Sequence, residues 1–585
     1  MAAAILLLTA CDSQPEEVAS ESTNTTPAIA DVAPGSTSPG TPQDPAGEWA
    51  FYGGNNGANK YSALDQIDAS NVNRLEASWR RPALDQYYTD LNPDQRFSAN
   101  LIAAPIVKNG VGYYPNGVGL VEAFNPGTGE TIWVQEPPGG ADGLPGAPTR
   151  GVAYWSEGED RRILVQRGTY LYALNADTGE SILSFGNQGR TDLQLMPAEF
   201  ERYRWGGAPV VVRDVVIVGQ SMSDTFSNKE AARGDVHAFD VRTGELRWTY
   251  NTIPQEGQFG TATWQDRSWS YTGHAPVWAL FSADEELGMV YMPISSATND
   301  MYGGHRIGDN LFSQSLVAVD AETGDRIWHY QMVHHGLWDY DPPAAPILMD
   351  ITVDGEEIKA ITQITKQAFA FVFNRETGEP VWEIEERQVA QSDVPGEVTS
   401  PTQPFPTNPA PFDTQGATVD NLIDFTPELR AEALEIFENY VTGPLFTPPS
   451  IAVEGGTQGT IQLPGSQGGA DVQGAAFDPD TGILYVPSIT SPFVADILPG
   501  DPEVTNLTYV KGSRRWVAGP QGLPLFKPPY GRVTAIDMNT GEHLWMVPNG
   551  VGPVDNPAIA HLELDKLGVP GRPHLFLPKA CCSWE

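Results

Sequence analysis

VHAFDVRTGELRW at residues 236–248 and LVAVDAETGDRIW at 316–328 are one phrase written twice. An alternating apolar run reaches an Asp, turns through Thr-Gly, and restarts as a second run that closes on Trp. Period-two alternation is the mark of a strand, Asp caps a tight turn, and Gly supplies the positive φ that the turn needs. The Thr-Gly step recurs at Thr128-Gly129, Thr178-Gly179, Thr243-Gly244, Thr323-Gly324, Thr377-Gly378, Thr481-Gly482 and Thr540-Gly541, and a weaker version, ADEELG, ends at Gly288. Five units carry the Trp, at 133, 248, 328, 382 and 545; each reads as a wedge between neighbouring sheets rather than a ligand contact. The steps lie 50 to 104 residues apart, and four short strands use about 40–50 residues, so each unit is one blade of a propeller with room for loops. Gly482 counts as a sixth unit, without its Trp, and Trp545 ends the last one. No closing unit follows, so the ring is expected to stand open, with the end of the chain cut short.

Composition agrees with an all-β chain. Of 585 residues, 59 are Gly and 50 are Pro, and aromatic residues make up 10%; turn-makers alternate with short apolar runs too regular for disorder. The net charge of -40 repels nucleic acid and anionic lipid and excludes a nucleic-acid partner. A solvated acidic surface is the plain reading, and docking of a basic electron-transfer protein the special one.

Residues 1–11, MAAAILLLTAC, are too short to span a bilayer. Leu8-Thr9-Ala10-Cys11 resembles a bacterial lipobox, which makes Cys11 an expected lipid anchor and the periplasm the expected compartment, although the positive start of an export signal is missing. Residues 12–47, rich in Ser, Thr, Pro, Ala and Glu, read as a flexible tether. The propeller is assigned to 48–570, with an insertion at 386–465, and 571–585 to an irregular tail holding Cys581 and Cys582. Inside the insertion, 422–440 is the best helix candidate: Pro427 and Glu428 start it, and Leu429, Ala433, Ile436 and Phe437 form its apolar stripe.

One stretch is not repetitive. VHHGLWDYDPPAAPILMDI at 333–351 gathers histidines, aromatics and aspartates directly after a strand. With EWAFYGGNNGANKYSALDQIDASNVNRLEASWR (48–80), RGVAYW (150–155), YGGHR (302–306), TKQAFAFVFNRETGEPVW (365–382), QSDVPGEVTSPTQPFP (391–406) and PPYGRVTAIDMNTGEHLW (528–545), it resembles the pyrroloquinoline-quinone-dependent glucose/alcohol dehydrogenases, nearest the membrane glucose dehydrogenase branch. The resemblance implies an eight-bladed β-propeller of four-stranded antiparallel sheets. It implies oxidation of a glucose-like aldose or an alcohol, with electrons passed to membrane quinone or a cytochrome c.

The resemblance also assigns residues. Asp339 falls on the catalytic base, Lys366 on the cation that reaches the quinone oxygens, and Arg150 on the guanidinium that binds a cofactor carboxylate. Trp278 falls on the indole under the cofactor ring. For the metal it implies Asp224, Asp339 and Asp341, while the usual Asn ligand falls on Ser296, with Asn299 as a substitute. Calcium, rather than a lanthanide, is the default for such oxygens. Asp471 stands where many relatives carry an Asn that contacts the cofactor. His334 and His335 are read as pocket wall. The vicinal cysteines of alcohol-type members are absent near Leu144-Pro145, and no Cys-x-x-Cys-His haem motif is present. Two competing readings stand beside the enzyme: a cofactor-free, eight-bladed envelope lipoprotein scaffold, and a dehydrogenase inactivated by shortening.

Overall fold

The structure is a computed structural model that describes residues 47–91, 93, 102–137, 149–195, 203–204, 207–222, 228–513, 515–571 and 573–579. Its backbone is a succession of small antiparallel sheets. Five have four strands in sequence order, within residues 106–134 (sheet A), 153–192 (B), 210–250 (C), 282–331 (D) and 476–548 (F). Sheet E, within 347–374, has three. The first strands of B, C, D, E and F are successive neighbours, as in blades arranged about an axis. Six such sheets are found among the described residues.

The repeated phrase forms the turn between third and fourth strands. In sheet C the Oδ1 of Asp240 accepts the backbone N–H groups of Arg242 and Thr243, both at 2.9 Å, and Gly244 has φ +72°. Asp320 and Gly324 repeat the arrangement in sheet D. A register shift accompanies the turn in sheets A, C, D and F, a bulge that lets the left-handed glycine leave the ladder.

The tryptophans dock on these turns one sheet further along. The Trp133 indole N–H donates to the Ala176 carbonyl of sheet B, Trp248 to Ala321 of sheet D, and Trp328 to Arg375 of sheet E. Each ring lies against the turn glycine: an added Cβ would come 2.4 Å from the Trp133 ring at Gly179, 2.6 Å from Trp248 at Gly324 and 2.7 Å from Trp328 at Gly378. Trp79, unremarked in the repeat count, docks the same way on Pro126 and Gly129 of sheet A. Sheet B lacks the Trp, and Thr191 donates to the Gly244 carbonyl instead.

Two sequence expectations change. Thr481-Gly482 joins the first and second strands of sheet F, and Thr540-Gly541 joins the third and fourth strands of the same sheet. The sixth and last sequence units are therefore one sheet, because the same turn chemistry serves either hairpin. The tail expected to be irregular also returns to the N-terminal region: Leu577-Pro578 runs parallel to Tyr61-Ser62, and Leu575 and Leu577 pack with Tyr61 on sheet F.

The insertion holds the helix Pro427–Phe437, with Thr426 as N-cap and Leu429, Ala433 and Phe437 buried. A second elaboration escaped the sequence reading. The hairpin between the middle strands of sheet F extends through Phe493–Pro499, Tyr509–Lys511 and Arg515–Trp516, and joins Ser450–Ile451 and Thr460–Gln462 in one five-stranded sheet.

The docking predicts a graded loss of stability. Gly324→Ala combines a left-handed φ with a clash against Trp248 and is expected to cost about 2–4 kcal/mol. Gly355→Ala, at φ +87° with nothing within 4 Å, carries the backbone penalty alone, about 1 kcal/mol. Urea unfolding of the two variants measures the difference, and equal losses would mean that the ring contributes nothing.

Candidate active site

The two ends of the sheets differ. The Thr-Gly turns occupy one end. The opposite end carries the connections from fourth strand to first and the hairpins between second and third strands. The candidate residues described lie there: Arg150 in the connection from A to B, Trp278 from C to D, Asp339 and Asp341 from D to E, and Asp471 from E to F. Ser296 and Asn299 lie in the middle hairpin of sheet D, and Lys366 in that of sheet E. Asp224 lies outside the described residues.

Lys366 is the hub. Its buried ammonium donates to the Asp339 carbonyl at 2.8 Å, to Asp339 Oδ1 at 3.1 Å and to Asp341 Oδ2 at 3.3 Å. Asp341 is fully engaged. Its Oδ1 accepts the Ser296 backbone N–H at 2.7 Å, and its Oδ2 also accepts the Trp278 indole N–H at 3.1 Å. Asp341 thus fixes the indole and the lysine together. The Lys366 ammonium lies 5.8 Å and the Arg150 guanidinium 5.3 Å from the Trp278 ring centroid.

These contacts set the charges. Burial opposes the charge on Lys366, but Asp339, Asp341 and Asp471 outweigh it and raise its pKa. Burial likewise opposes ionisation of Asp341, yet Lys366 and the Ser296 hydrogen bonds bring it down to about 2. Arg150 is lowered by burial, with Tyr52 and Asp471 acting the other way. Tyr52 is raised by burial.

Asp339 sits at φ +56°, a left-handed conformation held by its neighbours. The Trp338 indole donates to the Thr447 carbonyl, Gln462 donates to the Trp338 carbonyl at 2.6 Å, and the Tyr340 hydroxyl donates to the Pro464 carbonyl at 2.6 Å. The residues on both sides of Asp339 are therefore anchored to residues 447–464 of the insertion and its end. His335 is 1% exposed: its Nε2 meets Glu397 Oε1 at 2.7 Å and its Nδ1 meets the Gly308 carbonyl at 2.8 Å. It clamps the insertion to the loop before Asp339, in place of the pocket-wall role expected of it. His334 contacts Glu386 and Gln331.

The structure brings Lys366, Asp339, Asp341, Ser296, Trp278 and Arg150 together. The Asn299 backbone carbonyl accepts from Arg306 at 2.9 Å. Among the described residues no group of three or more His, Cys, Asp or Glu side chains is placed to hold a metal. A flat, polyanionic ligand nevertheless fits the donor set, since an indole face flanked by two cations offers stacking and charge together. The buried Ser296 hydroxyl, which acts with its own backbone N–H in lowering Asp341, is a further oxygen beside that carboxylate.

A propeller with cations, carboxylates and an aromatic platform at one end of its axis presents a seat for a flat, anionic ligand. The family model for the glucose/ethanol/alcohol dehydrogenase β-propeller domain matches residues 49–575, and the chain belongs to that pyrroloquinoline-quinone-dependent family. It is similar to the quinoprotein glucose dehydrogenase of Gluconobacter oxydans (30% identical, 88% of this chain, 68% of that one). It is also similar to quinoprotein glucose dehydrogenase A of Acinetobacter calcoaceticus (28%, 97% and 74%) and to the quinate/shikimate dehydrogenase of Acinetobacter baylyi (28%, 88% and 68%). The quinohemoprotein alcohol dehydrogenase of Comamonas testosteroni has the same fold, with a TM-score of 0.60 over 86% of this chain and 67% of that one, at 22% identity. The cofactor-free scaffold reading is set aside.

Glu397, Gln462 and Tyr52 were missed because each acts through a partner far away in sequence. The available signal was that Glu397 and Tyr52 stand in stretches of the family resemblance, QSDVPGEVTSPTQPFP and residues 48–80, while Gln462 stands in none.

Asp341 predicts a pH dependence. Its folded pKa lies below the ordinary 3.8, so the stability it contributes is present above about pH 4 and is lost as pH falls toward its folded value near 2. The full contribution is about 2 kcal/mol. Urea midpoints of the wild type and Asp341→Asn are expected to converge from about pH 5 downward, whereas a constant gap would show that this carboxylate is not held low.

Proposed function

We propose that the chain oxidises a hydroxyl-bearing carbon of a glucose-like aldose or an alcohol, using pyrroloquinoline quinone and calcium. The carrying observation is Lys366, buried between Asp339 and Asp341 beside the Trp278 face. When bound, the quinone supplies the two-electron acceptor and the metal polarises it. Asp339 takes the substrate hydroxyl proton. Lys366, held charged by its carboxylates, stabilises negative charge at the quinone oxygens. Trp278 and Arg150 orient the ring, by stacking and by a carboxylate-matched fork, and Asp471 borders the same seat. Asp339, Asp341 and the Ser296 hydroxyl are the described oxygens that would hold the metal, with Asn299 and Asp224 as the remaining candidates. Asp339 and Asp341 would serve a divalent ion with the same oxygens that now pair with the Lys366 ammonium. A lanthanide is the lesser metal choice, although the family fold also occurs in a europium-containing methanol dehydrogenase.

The electron acceptor is membrane quinone or a cytochrome c. The site of action is the periplasm, with Cys11 as a lipid anchor. Closure of the sheets into eight blades belongs to the same reading.

Protein loaded with the quinone and calcium is expected to reduce an artificial dye when given sugars and alcohols from a panel. Asp339→Asn should keep quinone affinity near the wild-type value and lose roughly 10²–10⁴ in turnover, because the amide cannot accept the proton. Near-normal turnover of that variant would overturn the base assignment, and dye reduction by no substrate despite stoichiometric quinone would overturn the enzyme reading. Calcium chelation should abolish turnover and added calcium restore it; turnover unaffected by chelation would remove the metal from the mechanism.

A further inference from the structure

A buried amine lies beside this site with no role in the chemistry above. Lys60 stands in the N-terminal stretch, 5% exposed, at φ +57°. Its backbone is fixed on both sides: Lys60 N–H donates to the Gly53 carbonyl at 2.8 Å, Leu577 N–H donates to the Lys60 carbonyl at 3.1 Å, and Phe477 N–H donates to the Asn59 carbonyl at 2.8 Å. These bonds tie two distant parts of the chain, at Phe477 and Leu577, to the Asn59–Lys60 step. The ammonium donates to the Gln473 carbonyl. Gly474 makes room for it, since a Cβ there would lie 3.1 Å from Lys60 Nζ.

Gln473 and Gly474 follow Asp471, whose charge acts on Lys366, Arg150 and Tyr52. The Tyr52 hydroxyl contacts the Val472 carbonyl and His574 Nδ1, each at 3.3 Å. The charge of Lys60 in turn depresses His574. The amine therefore adjoins His574 and, through it, the corner of the site formed by Tyr52, Arg150 and Asp471. Among the described residues no carboxylate pairs with Lys60. Burial alone lowers it, to about 7. A buried lysine without a counter-charge is costly in a scaffold, and it is explained when a ligand brings the missing charge.

We infer that Lys60 is a further cation of the cofactor seat, and that its ammonium pairs with a carboxylate of the planar tricarboxylate quinone, alongside Arg150. The inference rests on the quinone reading of the site. It makes binding a protonation event: the amine, largely neutral above pH 7 in the free protein, takes up a proton as the carboxylate arrives. Pairing raises the pKa in the complex, so uptake approaches one proton at pH 8 and vanishes below about pH 6. The other groups facing this corner are Tyr52, His574, Arg150, Lys366 and Asp471. His574 is lowered to about 4 and stays neutral across that window, while burial keeps Tyr52 neutral there.

The test is calorimetric binding of pyrroloquinoline quinone to the full chain with excess calcium, in two buffers of different ionisation enthalpy, at pH 6.5 and 8, without substrate. Wild type is expected to take up close to one proton at pH 8. Lys60→Met is expected to bind roughly 10- to 100-fold more weakly at pH 6.5 and to lose the uptake at pH 8. Lys60→Arg, always charged, should keep the affinity at pH 6.5 and also lose the uptake. Wild-type affinity and unchanged uptake in Lys60→Met would overturn the assignment and leave the quinone site standing. Failure of the folded wild type to bind quinone at all would overturn both. Should Lys60→Met not fold, uptake by Lys60→Arg decides: loss supports the assignment and retention overturns it.

Discussion

Everything in this fold depends on an indole lying flat on a glycine of the next sheet. A four-stranded antiparallel sheet cannot bury both faces by itself, so each must be seated on a neighbour. Trp133, Trp248 and Trp328 do this by covering the turn glycine and donating to a turn carbonyl in the same step. The contact needs all parts of the phrase: Asp to hold the turn, Gly to leave room, and Trp to fill it. Trp79 shows that the rule extends to the N-terminal segment.

Packing at one end frees the other. The docked turns and the middle hairpins lie at opposite ends of each sheet, so the seating of sheets constrains little of the site end. Chemistry is assembled there from five separate connections and hairpins. The assembly is stabilised by charge compensation rather than apolar burial. Lys366 would be expensive to bury alone, and Asp339 and Asp341 would repel each other without it. Asp341 also holds the Trp278 indole, so the platform, cation and base are linked through a single carboxylate.

This division decides what could be read from the sequence. The repeat was legible because its physics is local: capping Asp, turn Gly and docking Trp stand within a dozen residues. It misled only at Thr481-Gly482, where the same turn serves another hairpin. The helix at 427–437 was legible from Thr426, Pro427 and its stripe. The site residues came from resemblance, and the structure then brought six of them together. The clamps could not be read at all. Glu397 reaches His335 across 62 residues and Gln462 reaches the Trp338 carbonyl across 124. No periodicity or spacing encodes such contacts.

Those clamps bear on the choice of substrate. The relatives carry names for glucose, quinate and glycerol dehydrogenases, so one family covers several hydroxyl-bearing substrates. Under the proposed function, selection comes from what surrounds Asp339. Here that surrounding is built from the insertion and the extended hairpin of sheet F. Phe446 packs on Trp338 and Tyr340, Tyr302 packs on Tyr509, and Lys511 pairs with Asp300 one residue beyond Asn299. These elements attach through side chains rather than through the propeller ladder. They can vary in shape without disturbing the Trp–Gly seating at the opposite end of the sheets. A propeller whose stability resides at one end can therefore change its substrate at the other.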